Sequence, residues 1–242
     1  VFRGYSFLIA GIAHAAMAGA AFAIFLDYYG ILPNMHPLFG ALIFGLIMTF
    51  TVGYFSQKGS HETIDIAIGI SFAMAMSMAI LFISMIREYA VQAWGLIMGD
   101  LLLLTMFDLI LLVIITSITV FLVILFYREM LLIAFDIESA YALGLRVSFY
   151  NYLILILSTF SVVVMLKGVG AILVYVLLVI PAAAANNIAK TASSVMIFAL
   201  IFALISGVLG LILSLLLDVA PSALAGIIAT LIYLVSLVIK KD

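Results

Sequence analysis

From Val195 to Leu217 the chain reads VMIFALIFALISGVLGLILSLLL, and no charged residue lies anywhere between Lys190 and Asp218. About 20 apolar residues in helical form cross a bilayer core, so this run is long enough to span one. The remaining sequence has the same character: of 242 residues, 69% are apolar and 8% charged, and the mean hydropathy is +1.48. A water-soluble domain carries about 25% charged residues, so the charges here are too few to cover a surface wet on every side. In lipid, backbone amides and carbonyls must be satisfied within the segment itself, which selects helices. The fold class is therefore all-α, a polytopic transmembrane helical bundle forming one domain over residues 1–242.

Charges and turn residues divide the chain into eight candidate spans, near 5–27, 38–57, 64–86, 108–127, 149–166, 169–189, 195–217 and 221–239. The breaks fall at Pro33-Asn34, His36-Pro37, Lys58 to Glu62, Arg87-Glu88, Arg128 to Arg146, Lys167-Gly168, Lys190 and Asp218 to Pro221. The apolar stretch from Trp94 to Leu104 is about half a span and fits a re-entrant or interfacial helix. If Arg3 is cytoplasmic, alternation puts Lys58, Arg128, Arg146, Lys190, Lys240 and Lys241 on that side too, with only Arg87 and Lys167 outside. This positive-inside bias places the C-terminus in the cytoplasm of a cell-membrane protein. Small residues at close spacing (Gly11, Ala15 and Gly19; Gly40 and Gly45; Gly168 and Gly170; Gly207 and Gly210) predict close helix packing.

The net charge of −2 comes with no basic run to hold a phosphate backbone, so no nucleic acid is expected. Without cysteine there is neither a disulfide framework nor a thiolate metal site. No cleavable signal is visible, and no GxxxxGK[ST] phosphate loop is present. If ATP drives any function of this chain, another chain must bind it.

The one long polar segment is REMLLIAFDIESAYALGLRVS, Arg128 to Ser148. Asp136 is placed to cap a short helix, Glu138 complements its positive end, and Gly144 is placed to end it. Ile137, Tyr141 and Leu143 would be exposed on the cytoplasmic side. A helix of about two turns is unstable alone, so it packs either on its own bundle or on a cytoplasmic partner.

The segment FDIESAYALG, Phe135 to Gly144, resembles the cytoplasmic loop of the ABC-3 family of zinc, manganese and iron permeases, with Ile137 where proline is common. The line VGAILVYVLLVIPAAAA, Val169 to Ala185, is similar to that family's GxLLVxxLLxxPAAxA pattern. MGDLLLLT, Met98 to Thr105, is similar to its FGDLL segment, and GIAHA around His14 stands where the family has GDxxxHA. The resemblance implies a homodimeric permease with two ATPase subunits and an extracytoplasmic metal-binding protein. It implies that Phe135, Asp136, Ile137, Glu138, Tyr141, Leu143 and Gly144 form a coupling helix seated in the ATPase. It also implies an apolar helix before Val1.

The metal is then substrate, and no bound cofactor is expected. Candidate metal-handling residues are His14, Asp100 and Asp108. Ionisable groups within spans mark function by default, and imidazole suits these metals. His14 is open to a second reading, as a satisfied buried histidine. The family's acid four residues earlier is Ala10 in this chain. Asp100 and Asp108 read either as pore-mouth carboxylates or as interfacial helix caps, while His36 and His61 read as ordinary loop histidines. In AMAMSM, Ala73 to Met78, only Met74 and Met78 share a face, which favours packing over soft-metal ligation. The alternatives are a siderophore or cobalamin importer permease, which has about ten spans, and a secondary transporter or channel. The latter expects paired charges at a midplane site, and the sequence shows Lys and Arg only at span ends.

Overall fold

The structure, a computed structural model, describes residues 6–58, 61–86, 95, 99 and 104–239. The described helices are α1 (Ser6–Tyr28), α2 (Pro37–Lys58), α3 (His61–Met85), α4 (Met106–Leu125), α5 (Tyr127–Phe135), α6 (Ile137–Ala142), α7 (Val147–Val169), α8 (Ala171–Ile188), α9 (Ala192–Leu217) and α10 (Pro221–Ile239). Eight of them, all but α5 and α6, are long and apolar enough to cross a membrane. They match the eight expected spans one for one. The stretch from Trp94 to Leu104 lies outside the described residues apart from Gly95, Gly99 and Leu104.

Helix α1 is the hub. It packs against α2, α3, α7 and α8, and 78% of its apolar window is buried. Its composition explains that position: Ala13, Ala16, Ala18, Ala20, Ala21 and Ala23 are all buried. Side chains this small let neighbouring backbones approach where lipid gives no drive for apolar association. At Gly19 and Gly40 the approach is closest, since a Cβ on either residue would land on the other's backbone. Buried Thr49 and Thr159 hydrogen-bond to each other and tie α2 to α7. Helices α8, α9 and α10 form a second group, in which Asn187 donates to Ser236 at 3.0 Å between α8 and α10.

Not every expected packing glycine packs. Gly210 lies against the backbone of Ala225 at the α9–α10 crossing, and Gly168 lies under Leu104, whereas Gly207 meets nothing within 4 Å. In the methionine run, Met76 and Met78 pack on the core while Met74 is 61% exposed. Pro181 sits inside α8 and is buried. It leaves the Leu177 carbonyl without its helical donor, a loss that neighbouring helices make tolerable in a membrane bundle.

The polar segment after α4 holds two helices where one was expected. Tyr127–Phe135 is helical as well as Ile137–Ala142, which is shorter than the two turns expected. Met130, Leu131, Leu132 and Ile133 account for α5: Ile133 is fully buried, in a small cluster with Ala140 and Val147.

Candidate functional site

Three sets of residues carry chemistry, at different heights in the bundle. The first is α6. Asp136 accepts a hydrogen bond from the Ser139 backbone amide at 2.9 Å and another from the Ser139 hydroxyl. These bonds hold its carboxyl below the usual range, so it stays an anionic cap on the positive helix end. At the other end Leu145 N–H donates to the Ala140 carbonyl and Gly144 N–H to that of Tyr141. That pairing requires a left-handed residue at Gly144, whose φ is +78°. So short a helix holds its shape because both ends are satisfied and its Ala140 face is anchored on Ile133 and Val147. The opposite face presents Ile137, Tyr141 and Leu143, the last 72% exposed, with Phe135 exposed just ahead of it. Beside it opens a cavity of about 310 Å³ lined by Gly144, Leu145, Arg146, Phe149 and Tyr150. An apolar knob next to a recess, on a helix too short to stand alone, is an arrangement that can receive a docking partner.

The second is His14, half-buried in the middle of α1. Its Nδ1 lies 2.8 Å from the Ala10 carbonyl oxygen. A carbonyl only accepts, so Nδ1 carries a proton, and in the neutral ring Nε2 is then the nitrogen with the lone pair. This is the tautomer that metal-ligating histidines adopt when a backbone carbonyl orients them. Edge-on contact with Phe72 of α3, at 4.7 Å between ring centres, fixes the ring plane. Position 10 thus contributes its carbonyl where an acid would have contributed a second ligand. Among the described residues no group of three or more His, Asp or Glu side chains converges on a point.

The third is at the end of the bundle opposite α6. Asp108 is 4% exposed and starts α4 in a reciprocal cap with Thr105: its Oδ2 accepts from the Thr105 amide at 2.8 Å and from the Thr105 hydroxyl at 2.7 Å. The same Oδ2 accepts from Lys167 Nζ at 2.6 Å. Oδ1 is buried without a hydrogen bond and faces His36 Nε2 at 3.5 Å. His36 Nδ1 in turn accepts from the Leu38 amide at 3.3 Å, capping α2. Burial lowers the His36 pKa from its usual value, partly offset by Asp108.

Sequence reasoning passed over His36 as a loop histidine and Lys167 as an outlying charge. The His36-Pro37 dipeptide was the available signal, because a proline in the first helical position makes the preceding residue the cap. The pairing of Asp108 with Lys167 joins residues 59 apart in sequence. This charge pair lies at span ends, where the sequence places the lysines and arginines, rather than at the midplane that a secondary transporter expects. His14, Asp108 and α6 are not brought together, and Asp100 lies outside the described residues.

The ABC 3 transport family model matches residues 1–240. The manganese transport system membrane protein MntC of Listeria monocytogenes is 31% identical over 236 residues, covering 98% of this chain and 81% of the relative. The high-affinity zinc uptake system membrane protein ZnuB of Haemophilus influenzae is 27% identical over 200 residues, covering 83% of this chain and 74% of the relative. Among solved structures, PsaBC from Streptococcus pneumoniae in complex with Fab superposes with a TM-score of 0.82 at 26% identity, covering 97% of this chain and 82% of that one.

Proposed function

This chain belongs to the ABC 3 transport family, and from that premise we propose that it is the membrane-spanning permease of an ATP-driven importer of divalent transition metal ions, with manganese, zinc and iron as the candidate cargoes. The observation that carries the coupled mechanism is α6: a capped, anchored short helix that turns an apolar face outward beside a recess. Separate ATPase subunits, two per complex, seat Phe135, Ile137, Tyr141 and Leu143, and closure of the ATPase pair moves α6. The α6 end is cytoplasmic, as the positive-inside bias requires, and a metal-binding protein delivers cargo at the opposite end.

The permease works as a homodimer. The apolar window of α4 is only 6% buried, and Thr116 and Ser117 stand exposed in mid-span. Hydroxyls at that depth are better placed against a second copy or a wet path than against acyl chains. Within each subunit His14 Nε2 is the group offered to the passing metal, with Nδ1 oriented by Ala10. One ring nitrogen without a converging ligand set suits a cargo that must leave again. Asp100 is kept as a second metal-handling residue.

Replacing residues 136–143 by a glycine-serine linker tests this reading. The permease should still insert and fold, and should lose both its stable association with the ATPase and its metal uptake. Retention of both would overturn the docking role of α6.

A further inference from the structure

At the end of the bundle opposite α6, four consecutive residues of α7 and its junction with α8 engage the segment leading into α4. Lys167 binds the Asp108 carboxylate at 2.6 Å, Gly168 lies under Leu104, and Val169 and Gly170 leave room for Gly99 and no larger residue. His36, from the turn before α2, closes over the remaining Asp108 oxygen. Beyond this point α4 is only lightly covered within its own subunit, with 6% of its window buried. It contacts α7 and keeps one half-buried stripe, Leu111, Ile115, Thr119 and Leu122, along its length, while α5 and α6 are anchored on α7 through Ile133 and Ala140 against Val147.

The joints between these helices are single residues. Phe126 is both the last cap of α4 and the first cap of α5, and Asp136 is both the last cap of α5 and the first cap of α6. One-residue joints leave little slack, so a displacement of α6 is passed into α4 rather than absorbed by a loop. A helix held within its own subunit by one half-buried stripe and fixed at its far end tilts about that end.

We propose that Asp108, Lys167 and His36 form a clasp that serves as the pivot for α4, making α4 the lever that carries movement of α6 across the membrane. Asp108 and Lys167 are then positioning residues for coupled transport rather than metal ligands. Two further observations argue against ligation here. An ammonium already sits on Oδ2, and the Leu38 amide occupies His36 Nδ1, which puts the proton of a neutral ring on the Nε2 that faces Asp108. The inference rests on the coupling role given to α6 above.

The test uses the full permease assembled with its ATPase and binding protein in liposomes, with the ATP hydrolysed per manganese ion moved as the readout. Lys167→Met and Asp108→Asn should each raise that ratio at least tenfold, and Lys167→Arg should stay within about threefold of wild type. The double variant Asp108→Asn/Lys167→Met removes the unpaired buried charge, so it should recover thermal stability while remaining uncoupled. If the double variant couples like wild type, the pair is structural only and the proposal falls; the same holds if the single variants couple normally.

The chain has no cysteine, so spin labels at Met106→Cys and Ile172→Cys give a second readout independent of cargo. A narrow distance distribution in wild type and in Lys167→Arg should broaden in the double variant. If wild type moves no metal, the transport reading fails by itself and the label distances alone judge the clasp: an unchanged distribution in the double variant overturns it.

Discussion

Gly207 and Gly210 occupy one helix three residues apart, and the structure gives them opposite surroundings. A Cβ built on Gly210 would stand 2.6 Å from the backbone of Ala225. Ordinary contact begins near 3.4 Å, so α9 and α10 must part by nearly an ångström along a crossing where Ala225 and Ala229 are buried. Overpacking of this kind costs about 1–3 kcal/mol. A Cβ on Gly207 meets nothing within 4 Å. Replacing glycine by alanine within a helix gains about 1 kcal/mol of helix propensity at either site, so that gain cancels in the comparison. Gly210→Ala should therefore be less stable than Gly207→Ala by about 1–3 kcal/mol. Reversible unfolding in mixed micelles, followed by circular dichroism, measures the difference directly. Equal stabilities within about 0.5 kcal/mol, the usual scale of an inconsequential substitution, would refute the packing assigned to this crossing.

Substituting both Tyr141 and Leu143 by alanine leaves the Ala140 anchor intact, so thermal stability should be unchanged while ATP-dependent uptake falls at least tenfold. His14→Ala should reduce metal uptake by more than the roughly 10–100-fold typical of losing a ligand's orienting partner, with assembly on the ATPase retained; uptake at the wild-type rate would remove His14 from the pathway. Burial lowers the His36 pKa, so the unfolded chain binds more protons between the folded value and about 6.5. Stability should accordingly fall as pH drops through that window and be fully present above it. His36→Gln should flatten this dependence, which unfolding at pH 5, 6 and 7.5 will show.

Much of the fold is legible in the sequence because hydropathy and punctuation report the same physics that builds it. The run ending at Leu217 stops where Asp218 stands and α10 begins at Pro221, as expected. Asp136 and Gly144 mark the two ends of α6 because capping is local, settled within a few residues. Helix α5 was missed for the converse reason: MLLIAF inside a polar segment becomes a helix by burying Ile133 against α6 and α7, a tertiary fact. Asp108 was open to two readings, pore mouth or helix cap, and only the position of Lys167, 59 residues on, shows what its Oδ2 holds beyond the cap. His14 could be located but not oriented, since its tautomer follows from the hydrogen bond to Ala10.

The account's central claim is tested most directly by reconstituting this chain with its ATPase and binding protein in liposomes. Accumulation would be measured from a panel of manganese, zinc, iron, nickel and cobalt, with and without ATP. The account predicts selective, ATP-dependent uptake of a free transition metal that disappears when the ATPase is omitted. Uptake at full rate by this chain alone, or movement of a chelated or organic substrate in place of every free metal, would contradict it.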